Sequence, residues 1–140
     1  MSQNKGGVAH VHVDAKITGM HDKKLPSEAY VGYYVLETGK HDEEPADADE
    51  SDDAEIQAVL FAIRELGPKF DKLTVVCDHQ SVVSEANRLT VKGPSALLTS
   101  LRAVLQENQS RIELEALESN KAHKTLTEYV NRLKPDSMSS

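Results

Sequence analysis

A chain of 140 residues is long enough for one domain with a buried core, and no apolar run approaches the roughly 20 residues a membrane helix needs. Cys77 is the only cysteine, which excludes an internal disulfide and a cysteine-cluster zinc site and fits a reducing cytoplasm. The net charge of −7 is local: eight of the 23 acidic residues lie in segment 41–53, which has no Lys or Arg, and the other 15 face 16 basic residues, so a general basic footprint for nucleic acid is excluded.

Residues 1–7 are expected to be a flexible leader rather than a signal peptide, because they run straight into a strand-like stretch. Val8–Asp14 alternates, with Val11 and Val13 on one face and His10, His12 and Asp14 on the other. After a polar stretch with a turn at Leu25-Pro26-Ser27, the aromatic and β-branched run Ala29–Thr38 predicts a second strand, and Gly39-Lys40 turns the chain. The acidic segment 41–53 predicts a solvated loop or a charge-blunted edge strand. Asp52 and Glu55 have capping-box spacing at the start of a helix that runs to about Leu66 and stops at Gly67-Pro68.

Leu73–Cys77 is a nearly continuous apolar run, the pattern of a strand buried on both faces. Val82, Val83, Ala86 and Leu89 follow at helical spacing, and Leu97, Leu98, Leu101, Val104 and Leu105 mark another helix after Gly93-Pro94. Ile112, Leu114 and Ala116 alternate as a last strand, and Leu126, Tyr129, Val130 and Leu133 form the stripe of a final helix. The result is a mixed α/β domain over 8–134, with 135–140 as a tail.

Three acids stand out in this order. Asp14 and Asp78 each close an apolar strand-like run, and Glu55 sits in the first turn of the helix between them. An ionised carboxylate is costly at the end of a buried strand unless a cation or donor compensates it, so the three together suit hard cations such as Mg²⁺. Simpler roles stay open, Asp78 as a helix cap and Glu55 as a capping-box partner of Asp52. His10, His12 and Asp14 also share a face, which suits either a transition metal or, as is commoner for lone strand histidines, hydrogen-bonded core groups. Tyr30, Tyr33 and Tyr34 serve either sheet packing or base stacking.

The element order and the acid positions resemble the ribonuclease H-like superfamily, specifically the type 1 ribonuclease H and reverse-transcriptase-like family, over residues 8–133. The matching segments are Val13-Asp14, Ala54-Glu55-Ile56-Gln57-Ala58, Val76-Cys77-Asp78-His79-Gln80-Ser81 and Asn120-Lys121-Ala122-His123-Lys124. The resemblance implies a five-stranded mixed sheet flanked by helices. It implies a two-metal endonuclease that uses Mg²⁺ or Mn²⁺ to hydrolyse the RNA strand of an RNA–DNA hybrid, or acts on another nucleic acid. The cytoplasmic setting away from membranes is the expectation from the single cysteine and the lack of a long apolar run. Asp14 would be the central ligand, Glu55 and Asp78 would complete the metal shells, and His123 would serve as neutral ligand or proton shuttle.

The chain also departs from the family. Ala15 and Lys16 follow the first Asp in place of Gly and a small polar residue, Lys124 stands where a fourth acid is usual, and Trp is absent. Local positive charge is available at Lys16, Lys23, Lys24, Arg88 and Lys92. A module that keeps the fold to bind nucleic acid or protein without cleavage is therefore the alternative.

Overall fold

The computed structural model describes residues 7–18, 28–46, 51–78, 80, 82–83, 96–108, 111–116 and 121–133. Alternation along β1 (Val8–Thr18) sends Ala9, Val11 and Val13 into the main core and turns His12 and Asp14 to the opposite face, where they are also buried. β1 does not stop at Asp14 as its apolar run predicts. It pairs antiparallel with β2 (Glu28–Val35) as far as Thr18 opposite Glu28, so Asp14 lies mid-strand, opposite Gly32. β2 in turn ends at Val35 rather than Thr38. Gly39 takes φ +75, a conformation that favours glycine, and the turn closes with Val35 and Gly39 exchanging backbone bonds with Lys40 and Val35.

The acidic segment begins as β3 (His41–Ala46), the outermost strand of a five-stranded sheet ordered β3-β2-β1-β4-β5. Its charges and Pro45 suit an edge that must not recruit another strand. Glu44 accepts hydrogen bonds from Arg64 across the edge at 3.2 Å. Helix α1 (Ser51–Leu66) buries Ile56, Val59, Ala62, Ile63 and Leu66 against the sheet, then tightens into a 3₁₀ turn at Gly67–Lys69. Arg111 clamps this exit, donating to the carbonyls of Gly67 at 2.7 Å and Phe70 at 3.1 Å. The cation thus lies where a helix end leaves carbonyls without internal partners.

β4 (Lys72–Cys77) runs parallel to β1 on one side and to β5 (Ile112–Ala116) on the other, and its five apolar-side positions from Leu73 to Cys77 are buried. Helix α2 (Ala96–Glu107) adds Leu98 and Leu101 to the same core. Gln80, Val82 and Val83 are helical, with both valines buried, whereas the helix expected to continue to Leu89 lies outside the described residues. Helix α3 (Ala122–Leu133) covers the other face of the sheet with Leu126 and Val130 beside Tyr30. The tyrosines pack rather than present free rings: Tyr30 meets Tyr129 edge-on at 6.0 Å, Tyr33 meets Phe61 at 5.2 Å, and Tyr34 stacks on His41.

Gly32 sits beneath α3 for a steric reason. A Cβ there would lie 3.3 Å from the Asp42 carbonyl and 3.5 Å from Leu126 Cδ1, so the missing side chain lets α3 approach β1 and β2. Leu126 fills that space and is fully buried. Leu126→Ala is expected to lower unfolding free energy by about 3 kcal/mol, the usual scale for a truncated buried leucine, as read by urea denaturation. A loss below about 1 kcal/mol would mean that the α3 face contributes little to stability.

Candidate metal centre

The unequal pairing of β1 builds the site. Its parallel ladder with β4 ends at His12 opposite Val76, two residues before Asp14. Asp78 follows one residue after β4 and is exposed. Glu55, in the first turns of α1, is buried and reaches the same place from the helix side of the sheet. One carboxylate oxygen from each of Asp14, Glu55 and Asp78 lies within 4.8 Å of the others. The three sequence-derived acids are therefore together in space.

Their surroundings are unfavourable for uncompensated negative charge. Burial raises the Asp14 carboxyl above its ordinary range and the nearby charge of Asp78 raises it further, against hydrogen bonds from His123 and the Ala15 backbone that lower it. Glu55 retains another interaction, yet its Oε1 atom is buried and accepts no hydrogen bond. These oxygens are hard donors of the kind Mg²⁺ and Mn²⁺ prefer. Two oxygens on opposite sides of one Mg²⁺ stand about 4.2 Å apart, twice the usual bond length, so a 4.8 Å cluster suits either a pair of ions or one ion after slight closure. The residues fit a divalent cation.

His123 stands on the other side of Asp14. Its Nδ1 donates to Asp14 Oδ2 at 2.9 Å, while its own side chain is 67% exposed. His12 is a hydrogen-bonded core histidine rather than a metal ligand. Its Nδ1 accepts the Lys121 backbone N–H at 3.0 Å, which fixes the neutral tautomer with the proton on Nε2. Burial, and then the positive charges of Lys121 and His10, lower its basicity. His10 points to Glu37 instead, so the two histidines do not join Asp14 in a transition-metal group among the described residues.

Lys16 lies two residues beyond Asp14 on the same face of β1, and Lys124 is exposed beside His123. Lys23, Lys24, Arg88, Lys92, His79, Ser81, Asn120 and the Asp52 side chain fall outside the described residues. A separate apolar cavity of about 390 Å³, lined by Val31, Ala46, Leu60 and Phe61 among others, contains none of the three carboxylates. The sequence reading missed the anchoring role of His12 and the clearance at Gly32. A buried-face histidine beside a predicted acid was the only signal for the first.

Replacing the central acid tests the charge balance directly. Without divalent ions at neutral pH, Asp14→Asn should raise Tm by roughly 3 °C, equivalent to about 1 kcal/mol in a chain of this size, because a buried charge beside two acids is removed. A lower Tm in the same thermal melt would show that ionised Asp14 stabilises the fold.

No family model and no curated protein matches the sequence. Solved structures do. The chain is similar to ribonuclease H1 from the halophilic archaeon Halobacterium salinarum, with TM-score 0.68 and 17% identity over 90% of this chain and 99% of that one. It is similar to LC11 ribonuclease H1 in complex with an RNA/DNA hybrid, with TM-score 0.68 and 14% identity over 89% and 98%. A further structure of LC11 ribonuclease H1, isolated from compost, gives TM-score 0.66 and 17% identity over 93% and 98%. With the same five-stranded sheet order and flanking helices, the chain has the ribonuclease H fold.

Proposed function

We propose that this chain is a divalent-metal-dependent endonuclease of the type 1 ribonuclease H kind, hydrolysing the RNA strand of RNA–DNA hybrids. The observation that carries the reading is the convergence of Asp14, Glu55 and Asp78 within 4.8 Å on this fold. The similarity to LC11 ribonuclease H1, whose structure was solved with an RNA/DNA hybrid, supports the choice of substrate. Mg²⁺ or Mn²⁺ would be held by the three carboxylates, with Asp14 central. Bound ions of this kind supply an activated water and stabilise the leaving oxygen.

The remaining steps belong to the chain. Asp14 is held by the His123 Nδ1–H, which orients its carboxylate through Oδ2. The rest of the His123 ring is largely exposed to solvent. Lys16, two residues beyond Asp14, and Lys124, next to His123, are positive charges that would suit a phosphate backbone. The lone buried Cys77 supports a reducing, cytoplasmic setting, and among the described residues no helix is long and apolar enough to cross a membrane.

A second reading, a non-cleaving module for nucleic acid or protein, is favoured by the two lysines, because a lysine close to the carboxylates can replace a cation. Cleavage of a labelled RNA–DNA hybrid separates the two. Wild-type protein with Mg²⁺ or Mn²⁺ should cut the RNA strand, and Asp14→Asn should slow cutting roughly 10³-fold, the upper scale for loss of one preorganised electrostatic contact, while hybrid binding persists. Binding without cleavage in the wild type would select the second reading.

A further inference from the structure

Two hydrogen bonds join β1 to the start of α3 with the same offset of 109 residues, His12 to Lys121 and Asp14 to His123. They form successive rungs between one face of the strand and the first turn of the helix. The first rung is unusual in its chemistry. Lys121 stands immediately before Ala122, and the backbone N–H at that place has no partner within the helix and is met, in a capping box, by a Glu or Gln three residues on; that residue here is Lys124. Here the acceptor is a buried imidazole nitrogen on a distant strand. Lys121, His123 and Lys124 are exposed, and Ala122 alone in this turn is buried. Leu126 and Val130 seat the helix further along, but within this turn only the short Ala122 side chain packs, so the residues on either side of it have little lateral hold from packing.

We propose that His12 is a positioning residue: by accepting the Lys121 N–H it fixes the first turn of α3 so that His123 Nδ1 meets Asp14 Oδ2. His12 touches neither substrate nor the reacting atoms. It acts through His123, and its effect on turnover rests on the nuclease reading given above. The requirement is an acceptor at the Nδ1 position, so shape alone at position 12 is insufficient. Asparagine places its amide oxygen near that position, whereas phenylalanine keeps a buried ring and offers none.

The test compares His12→Phe with His12→Asn in the full chain, with folding checked by circular dichroism. The His123 ring resonances are read by NMR, and kcat and KM are measured on a labelled RNA–DNA hybrid with Mg²⁺. In His12→Phe the His123 signals should move to their positions in Asp14→Ala, and kcat should fall about ten-fold with KM unchanged, the lower range for loss of a supporting contact around a metal site. His12→Asn should restore both. His12→Leu serves the same comparison if His12→Phe does not fold. Unchanged His123 signals without the acceptor, or equal losses in the Asn and Phe variants, would overturn the proposal. If the wild type cleaves no hybrid, the nuclease reading fails, and the ring signals still decide whether His12 positions His123.

Discussion

The whole arrangement depends on β1 having neighbours of different length. On one side it pairs antiparallel with β2 to Thr18, and on the other it pairs parallel with β4 only to His12. Strand backbone groups need hydrogen bonds, and β2 supplies them after β4 has ended. Asp14 is therefore held by one neighbour at a buried place just beyond the end of the other's ladder. Asp78 reaches that place from the end of β4, and Glu55 reaches it from α1. The cluster follows from strand lengths and the crossover between them.

The second constraint is charge. Asp14 and Glu55 are buried, and Asp78 adds a third carboxylate at a distance where repulsion is strong. A purely structural role would favour neutral or paired groups here. The protein offers two moderating donors to Asp14, the His123 ring and the Ala15 backbone, and these do not remove the upward pressure from burial. A divalent cation would offset it. The cost to the metal-free fold and the capacity to hold metal are thus the same property seen in two states, a common relation between stability and function. The histidines complete the balance: His12 works as a neutral acceptor, and His123 works as a donor.

Much of this was legible in the residues. Period-2 alternation in Val8–Asp14 and the continuous apolar run Leu73–Cys77 identified the two central strands, and the order of elements led to the sheet that is observed. Asp14, Glu55 and Asp78 stood out from their positions in that order and His123 from the family resemblance; the structure brings the three acids together and sets His123 against Asp14. The misses have one cause. Strand limits depend on partners rather than on local composition, so β1 continued past Asp14 through Ala15–Thr18, and β2 stopped before Leu36. His12 is the hydrogen-bonded core histidine that a lone strand histidine most often is, but its partner was not legible, for the same reason. Spacing along one strand shows which groups share a face, but the backbone N–H that occupies His12 comes from a residue 109 positions away. The edge strand β3 was recognised as charge-blunted yet unassigned, because an exposed strand lacks the apolar pattern that reveals buried ones.

The central claim is that Asp14, Glu55 and Asp78 form one divalent-cation site. Electron paramagnetic resonance of Mn²⁺ titrated into the protein tests it without reference to any substrate. Saturable loss of the free Mn²⁺ signal, absent in both Asp14→Asn and Asp78→Asn, is the predicted result. A titration with no saturable binding, or one unchanged by Asp14→Asn, would contradict the account.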